Sequence, residues 1–218
     1  MRSFCSKRSG LSPPRAIRIK RPLTIIKGGT RYNFGLHMQN LRYALVAYIN
    51  SPVGEFVESL RRELHPELPH LVAHLTLLPP RLLQGTEVAA LQRLARVCGR
   101  VDPFEVVLGE MESFVPTTPT VYIKVADGAS RLHELHEQLN KESLAFREEW
   151  PYIPHLTIAK MPSEAAAEEA LRIARERWRH YSGRRRILLD RLTFVREDKA
   201  NCWIDLAPVL LGGSLVAP

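Results

Sequence analysis

The same run of elements occurs twice along this chain, and that repetition restricts the fold more than any other feature. Residues 42–49 are rich in strand formers and read as a buried strand. Glu55–Leu64 then places Phe56, Val57, Leu60 and Leu64 on one helical face. His70–Leu78 reads as a strand stopped by Pro79-Pro80, and Thr86 is placed to cap a helix striped with Val88, Leu91, Leu94, Ala95 and Cys98. Phe104–Leu108, extended to Phe114, reads as a strand or strand pair. The order then restarts. Thr120–Val125 is a strand, Ser130–Phe146 a helix with Leu132, Leu135 and Leu139 on one side, and Ile153–Lys160 a strand. Ser163 caps a further helix with Ala167, Ala170, Leu171, Ala174 and Trp178 inward. Arg186–Val195 and Cys202–Leu206 close as strands around the polar turn Arg196–Asn201. The expected fold is α+β and bilobal, with pseudo-repeats of about 42–115 and 119–206 facing each other across a cleft.

Each repeat carries one tripeptide at its third element. His74-Leu75-Thr76-Leu77 occupies that place in the first half and His155-Leu156-Thr157-Ile158 in the second. Alternate side chains of a strand share a face, so His74 projects with Thr76 and His155 with Thr157, while the apolar residues anchor the other face. With eight histidines and 45% apolar residues, one such match is expected at roughly 0.15 per chain and two at about 0.01. A single match would read as a structural histidine. Two at equivalent positions of a repeat mark a site.

The paired motifs resemble those of the 2H phosphoesterase superfamily, specifically its bacterial 2′-5′ RNA ligase-like (LigT-like) proteins. The likeness runs from Met38 to about Leu211 and includes the contexts PHLVAHLTLLPP, WPYIPHLTIAKMP and LLDRLTFVRED…CWIDLAPVLLG. It implies two antiparallel sheets flanked by helices around a central water-filled cleft, with His74, Thr76, His155 and Thr157 as catalytic residues and no metal or other cofactor. It also implies RNA ends or small nucleotides bearing a 2′,3′-cyclic phosphate as substrates, opened to leave a terminal 2′-phosphate, with His74 as base and His155 as acid. One departure is Lys160, where close RNA phosphodiesterase relatives often carry Arg; lysine is a point charge rather than a bidentate fork.

The residue types suit that chemistry. Two imidazoles with ordinary pKa values near 6.5 can divide base and acid roles around neutral pH. Two threonine hydroxyls can donate to non-bridging phosphoryl oxygens as charge develops. Lys160 and Arg81 read either as phosphate contacts or as ordinary strand-end residues, and Tyr43, Phe114 and Tyr152 either as base-stacking rings or as core and rim. His133-Glu134-Leu135-His136-Glu137 is one residue short of the zinc HExxH spacing and reads as a solvated helix edge. His70 and His74 would stand roughly 13 Å apart on one strand, too far to share a metal. Arg184-Arg185-Arg186 reads as a solvated strand start or an RNA-facing patch.

Three functions stay open at this point: a cyclic phosphodiesterase, a ligase joining RNA ends through 2′-5′ linkages, and a nucleotide- or RNA-binding module with little turnover. Two complete motifs argue against a mere binder. No nucleotidyl-transfer motif is visible to drive joining with ATP, so hydrolysis should dominate in water.

Charge does not decide among them. The chain carries 31 Lys and Arg against 23 Asp and Glu, a net +8. Nine of those cations (Arg2, Lys7, Arg8, Arg15, Arg18, Lys20, Arg21, Lys27, Arg31) lie in residues 1–37 with no acid, which leaves 22 basic and 23 acidic residues from Met38 onward. The body, 38–211, is therefore near neutral, followed by a short tail at 212–218. Residues 1–37 read as a basic, disordered leader: an organellar transit peptide, sequence ahead of a natural start at Met38, or an arm that tethers RNA. Three cysteines (Cys5, Cys98, Cys202) without ligand spacing argue against structural zinc and disulfides. The expectation is a cytoplasmic monomer, organellar if the leader is a transit peptide, with no membrane-spanning segment.

Overall fold

The computed structural model describes residues 3–4, 41–64, 72–199 and 202–213. The expected pseudo-repeats appear as β2 (Tyr43–Tyr48), α1 (Pro52–Leu64), β3 (His74–Arg81), α2 (Glu87–Cys98) and β4 (Phe104–Ser113), preceded by a short β1 (Ser3–Phe4). The second series is β5 (Thr120–Asp127), α3 (Ala129–Leu139), a single 3-10 turn (Glu142–Leu144), β6 (His155–Lys160) and α4 (Glu164–Arg179). Three strands close it: β7 (Arg186–Leu189), β8 (Arg191–Lys199) and β9 (Cys202–Leu210). Thr86 and Ser163 cap α2 and α4 as expected, each side chain accepting from the backbone N–H three residues on, Ala89 and Ala166.

All strand pairs are antiparallel and run in the order β1-β9-β8-β2-β3-β6-β5-β4-β7. β3 and β6 meet only at Leu75 and Leu156, so the curled sheet consists of two half-sheets hinged between the motif strands. Strands cross over between the halves: β4 of the first pairs with β5 of the second, and β8 of the second pairs with β2 of the first. The helices cross as well. α1 packs on β6 and α4, whereas α3 packs on β3 and α2. Neither repeat folds as a self-contained copy, and the shared core runs through Leu45, Leu75, Leu77, Leu156, Ile158 and Trp178, all at most 2% exposed.

Several boundaries differ from the sequence reading for local reasons. β3 continues through Pro79 and Pro80, because its partner ladder with β2 is irregular between the Leu45–Leu78 and Tyr43–Arg81 pairs and its other edge is paired only at Leu75. α3 stops at Leu139 instead of reaching Phe146: the Asn140 amide exchanges hydrogen bonds with the backbone N–H and C=O of Phe146 and folds the chain back. α2 buries Ala90, Leu94 and Cys98 and leaves Val88 exposed, a stripe rotated from the expected one. Arg186–Val195 is broken at Asp190 into β7 and β8.

The two residues of β1 pair with Trp203 and Ile204, inside the stretch expected to be a leader; the remainder of that stretch lies outside the described residues. Cys98 is free and buried, but Cys202 is disulfide-bonded, which corrects the expectation of no disulfide. A bridge set by tertiary pairing leaves no mark in local spacing. No helix among the described residues is long and apolar enough to cross a membrane.

Candidate active site

Both motifs end in the same backbone device. In β3, Val46 faces Thr76 while its neighbour Leu45 faces Leu78, so Leu77 is an extra residue. In β6, Tyr122 faces Thr157 while Val121 faces Ala159, so Ile158 is the extra residue. A bulge of this kind puts two consecutive side chains inward and reverses the alternation beyond it. Leu77 and Leu78 are accordingly both buried, as are Ile158 and Ala159. The reversal returns the residue after the bulge to the histidine face. In the second motif that residue is Lys160, which is exposed; its counterpart in the first is Pro79. Strict alternation would have sent the Lys160 ammonium into the core.

His74, Thr76, His155 and Thr157 are all half-buried on the faces that meet at the hinge. The imidazoles are held alike. His74 Nδ1 lies 2.7 Å from the Val72 carbonyl oxygen, and His155 Nδ1 lies 2.6 Å from that of Ile153. A carbonyl only accepts, so each Nδ1 carries the proton and each neutral ring presents the Nε2 lone pair. Phe114 and Tyr122 stack on each other with centroids 4.1 Å apart, and both meet the His155 ring edge-on at 5.1 and 5.2 Å. Tyr122 donates to Glu112, and Tyr48, the register partner of His74, donates to Asp205.

The electrostatics separate the two rings. Burial depresses His74 most, the Arg61 charge adds to it, and His155 and Lys160 contribute further against the backbone bond to Val72, so the ring titrates at about 4. His155 is also lowered, by burial and Lys160, with its own backbone bond opposing. Lys160 therefore acts on both imidazoles, while Arg61 distinguishes them.

Side chains from the opposite half brace the carbonyls at each bulge. Arg61 of α1 donates to the Thr157 carbonyl through both Nε, at 2.9 Å, and Nη2. Tyr152 donates to the Thr76 carbonyl at 3.0 Å, and His136 Nδ1 donates to the Leu77 carbonyl at 2.7 Å. The Tyr152 ring stacks on His136 at 4.0 Å. Tyr152 is thus a brace for the first motif rather than an open stacking platform. His136 is not a solvated edge either; only His133 of that pair is exposed.

Two further candidates are placed elsewhere. Arg81 is 2% exposed, and its guanidinium is taken up by Glu148, Asn140 and the Pro79 and Leu144 carbonyls. It ties the segment after α3 to β3, with its donors engaged inside the protein. Tyr43 is buried against Phe194 with its hydroxyl on Glu87, at the far end of β2 from Tyr48. Residue type alone makes an arginine look like a phosphate contact and a tyrosine like a stacking ring, and neither the bulge nor the burial behind it shows in a propensity reading. Arg185 lies over the Trp178 ring and donates to its carbonyl, and Arg186 pairs with Glu105, so that triplet is mostly structural. His70 lies outside the described residues. Among the described residues no group of three or more His, Cys, Asp or Glu side chains is arranged to hold a metal ion.

Sequence reading missed Arg61, Tyr48 and Tyr122. The available signal for Arg61 was its place one turn after Val57 and beside Leu60, on the inner edge of an amphipathic helix.

Known proteins resemble this chain in sequence and in fold. A sequence profile described as the 2′-5′ RNA ligase superfamily matches residues 49–201. A protein of Halalkalibacterium halodurans named "Putative phosphoesterase BH1439" is 27% identical over 121 residues, covering 55% of this chain and 70% of its own. A phosphoesterase-named protein of Bacillus licheniformis is 24% identical over 132 residues, or 60% of this chain and 78% of its own. In fold, the chain is similar to E. coli LigT, solved with 3′-AMP, at a TM-score of 0.55 and 15% identity, covering 80% of this chain and 100% of that one. TT0787 of Thermus thermophilus gives 0.52 at 20% identity, with 80% and 100% covered. These relatives support a phosphoesterase, and a profile match of this extent settles membership: the chain belongs to the 2′-5′ RNA ligase superfamily of 2H phosphoesterases.

Proposed function

We propose that the protein hydrolyses 2′,3′-cyclic phosphate ends of RNA or small nucleotides to terminal 2′-phosphates, by two-histidine acid–base catalysis that requires no metal. The observation that carries this reading is the pair of half-buried imidazoles, each with Nδ1 pinned to a backbone carbonyl and each beside a threonine on its own strand.

His74, kept neutral, takes a proton from water at Nε2 as the water oxygen bonds to phosphorus. The P–O3′ bond breaks, and His155 delivers a proton from Nε2 to the departing ribose oxygen. Thr76 and Thr157 hydroxyls donate to the non-bridging oxygens, and the Lys160 ammonium offsets their charge. The assignment of base and acid follows from Arg61: the ring carrying the additional positive neighbour is the one less able to hold a proton. The E. coli relative was crystallised with 3′-AMP and, separately, with phosphate, ligands of the class this site would accept.

The pH dependence tests the reading. The active form has His74 neutral and His155 protonated. For a short cyclic-phosphate-ended RNA in EDTA, kcat/KM should rise with pH through about 4, as His74 loses its proton. It should fall again below the ordinary imidazole value, as His155 loses its own. The optimum therefore lies on the acid side of neutral. A bound phosphate anion favours both imidazolium forms, so the kcat limbs should sit higher than those of kcat/KM. A profile flat across this range, or activity only with added metal, would sink the proposal.

A further inference from the structure

Helix α1 touches both motif strands through two side chains one turn apart. Glu58 accepts the Ala73 N–H at 3.1 Å, immediately before His74, and Arg61 donates to the Thr157 carbonyl from two nitrogens. The two motif strands themselves share a single register pair, Leu75 with Leu156. A hinge with so little ladder does not by itself fix the relative placement of two imidazoles. The bulge at Ile158 interrupts the β5 ladder just after Thr157, and a planar guanidinium gripping the Thr157 carbonyl from two donors holds that strand in one orientation.

We propose that Arg61 is a positioning residue that couples the two histidine motifs: its fork fixes the backbone of the second motif from the same helix whose Glu58 holds the backbone just before the first. Its charge is also among the causes that keep His74 neutral. The first motif is braced by a phenol, Tyr152 on the Thr76 carbonyl that corresponds to Thr157, and by the His136 imidazole on the Leu77 carbonyl one residue further along. The asymmetry between halves is thus a cation on one side only. This deepens the catalytic reading above and rests on it for its kinetic arm.

Among the described residues, the charged and titratable groups around His74 are Arg61 and Glu58 on α1, His155 and Lys160 on β6, and Tyr48 on β2 with its Asp205 partner on β9. Glu58 acts on Arg61 and stabilises its charge, and burial lowers the guanidinium only to about 10, so Arg61 remains cationic through the working range. The charge on His74 from this residue is therefore constant with pH.

The test titrates the imidazoles of the full chain by NMR with labelled histidine, His74 being assigned by its loss in His74→Gln. In Arg61→Met the His74 midpoint should rise by about one unit, and the acid limb of kcat/KM should rise with it. In Arg61→Lys the charge stays and the fork is lost. The His74 midpoint should then stay low while kcat falls about 10–100-fold at nearly constant KM. An unmoved His74 midpoint in Arg61→Met overturns the electrostatic coupling. Should that variant not fold, Arg61→Lys decides: wild-type kcat overturns the positioning role. Absence of cyclic-phosphate turnover in the wild type, with the His74 midpoint still moving in Arg61→Met, would reject the substrate reading and leave the coupling standing.

Discussion

Replacing either His74 or His155 with Ala is expected to lower turnover of a cyclic-phosphate-ended oligonucleotide by about 10²–10⁴-fold, with the fold intact. Each ring is half-buried, and among the described residues its hydrogen bond runs to a carbonyl two residues before it, where water can substitute. The core side of both strands, Leu75 with Leu77 and Leu156 with Ile158, is untouched by the change. Because the proposed mechanism places the two rings in a single proton-transfer cycle, the double variant should be little worse than either single one. Steady-state kinetics beside a thermal melt would check both halves of this statement. Activity that survives either substitution in a folded protein removes the two-histidine mechanism.

Thr76→Val and Thr157→Val should each lower kcat by about 10²–10³-fold, with a smaller change in KM. Valine keeps the strand preference and nearly the shape of threonine, so the exchange isolates the hydroxyl. The braces remain, since Tyr152 and Arg61 bond the main-chain carbonyls of these residues rather than their side chains. A donor aimed at charge that grows during reaction stabilises the transition state more than the bound substrate, hence the effect on kcat. A rise in KM with unchanged kcat would show instead that the threonines serve binding alone.

Much of this site was legible before any coordinates. Alternation on a strand sufficed to put His74 with Thr76 and His155 with Thr157, and the repeat placed the two strands at equivalent positions. The capped starts of α2 and α4 followed from Thr86 and Ser163. What local reading could not give was exchange between the halves. Nothing in the β4 or β8 sequence says that each pairs with the first strand of the other repeat, because that choice is made by the whole core.

The bulges were equally hidden. Leu77-Leu78 and Ile158-Ala159 read as ordinary apolar pairs, yet both pairs are doubly buried, and the second reversal is what brings Lys160 round to the histidine face. Arg81 illustrates the opposite error. A strand-end arginine beside prolines looks available for phosphate, but Arg81 is buried and the Asn140 and Glu148 partners that claim it lie 59 and 67 residues further along the chain. Arg61, the residue that distinguishes the two imidazoles, carries no mark in the sequence beyond its place on an amphipathic helix.

The most direct test of the central claim follows the fate of one bond. A short RNA with a 2′,3′-cyclic phosphate end is incubated with the full chain in ¹⁸O-labelled water and EDTA, and the product is identified by mass and by the position of its phosphate. The account requires a terminal 2′-phosphate carrying one ¹⁸O, formed without metal. A 3′-phosphate product, or label-free material, or turnover that appears only when a divalent metal is restored, would contradict it.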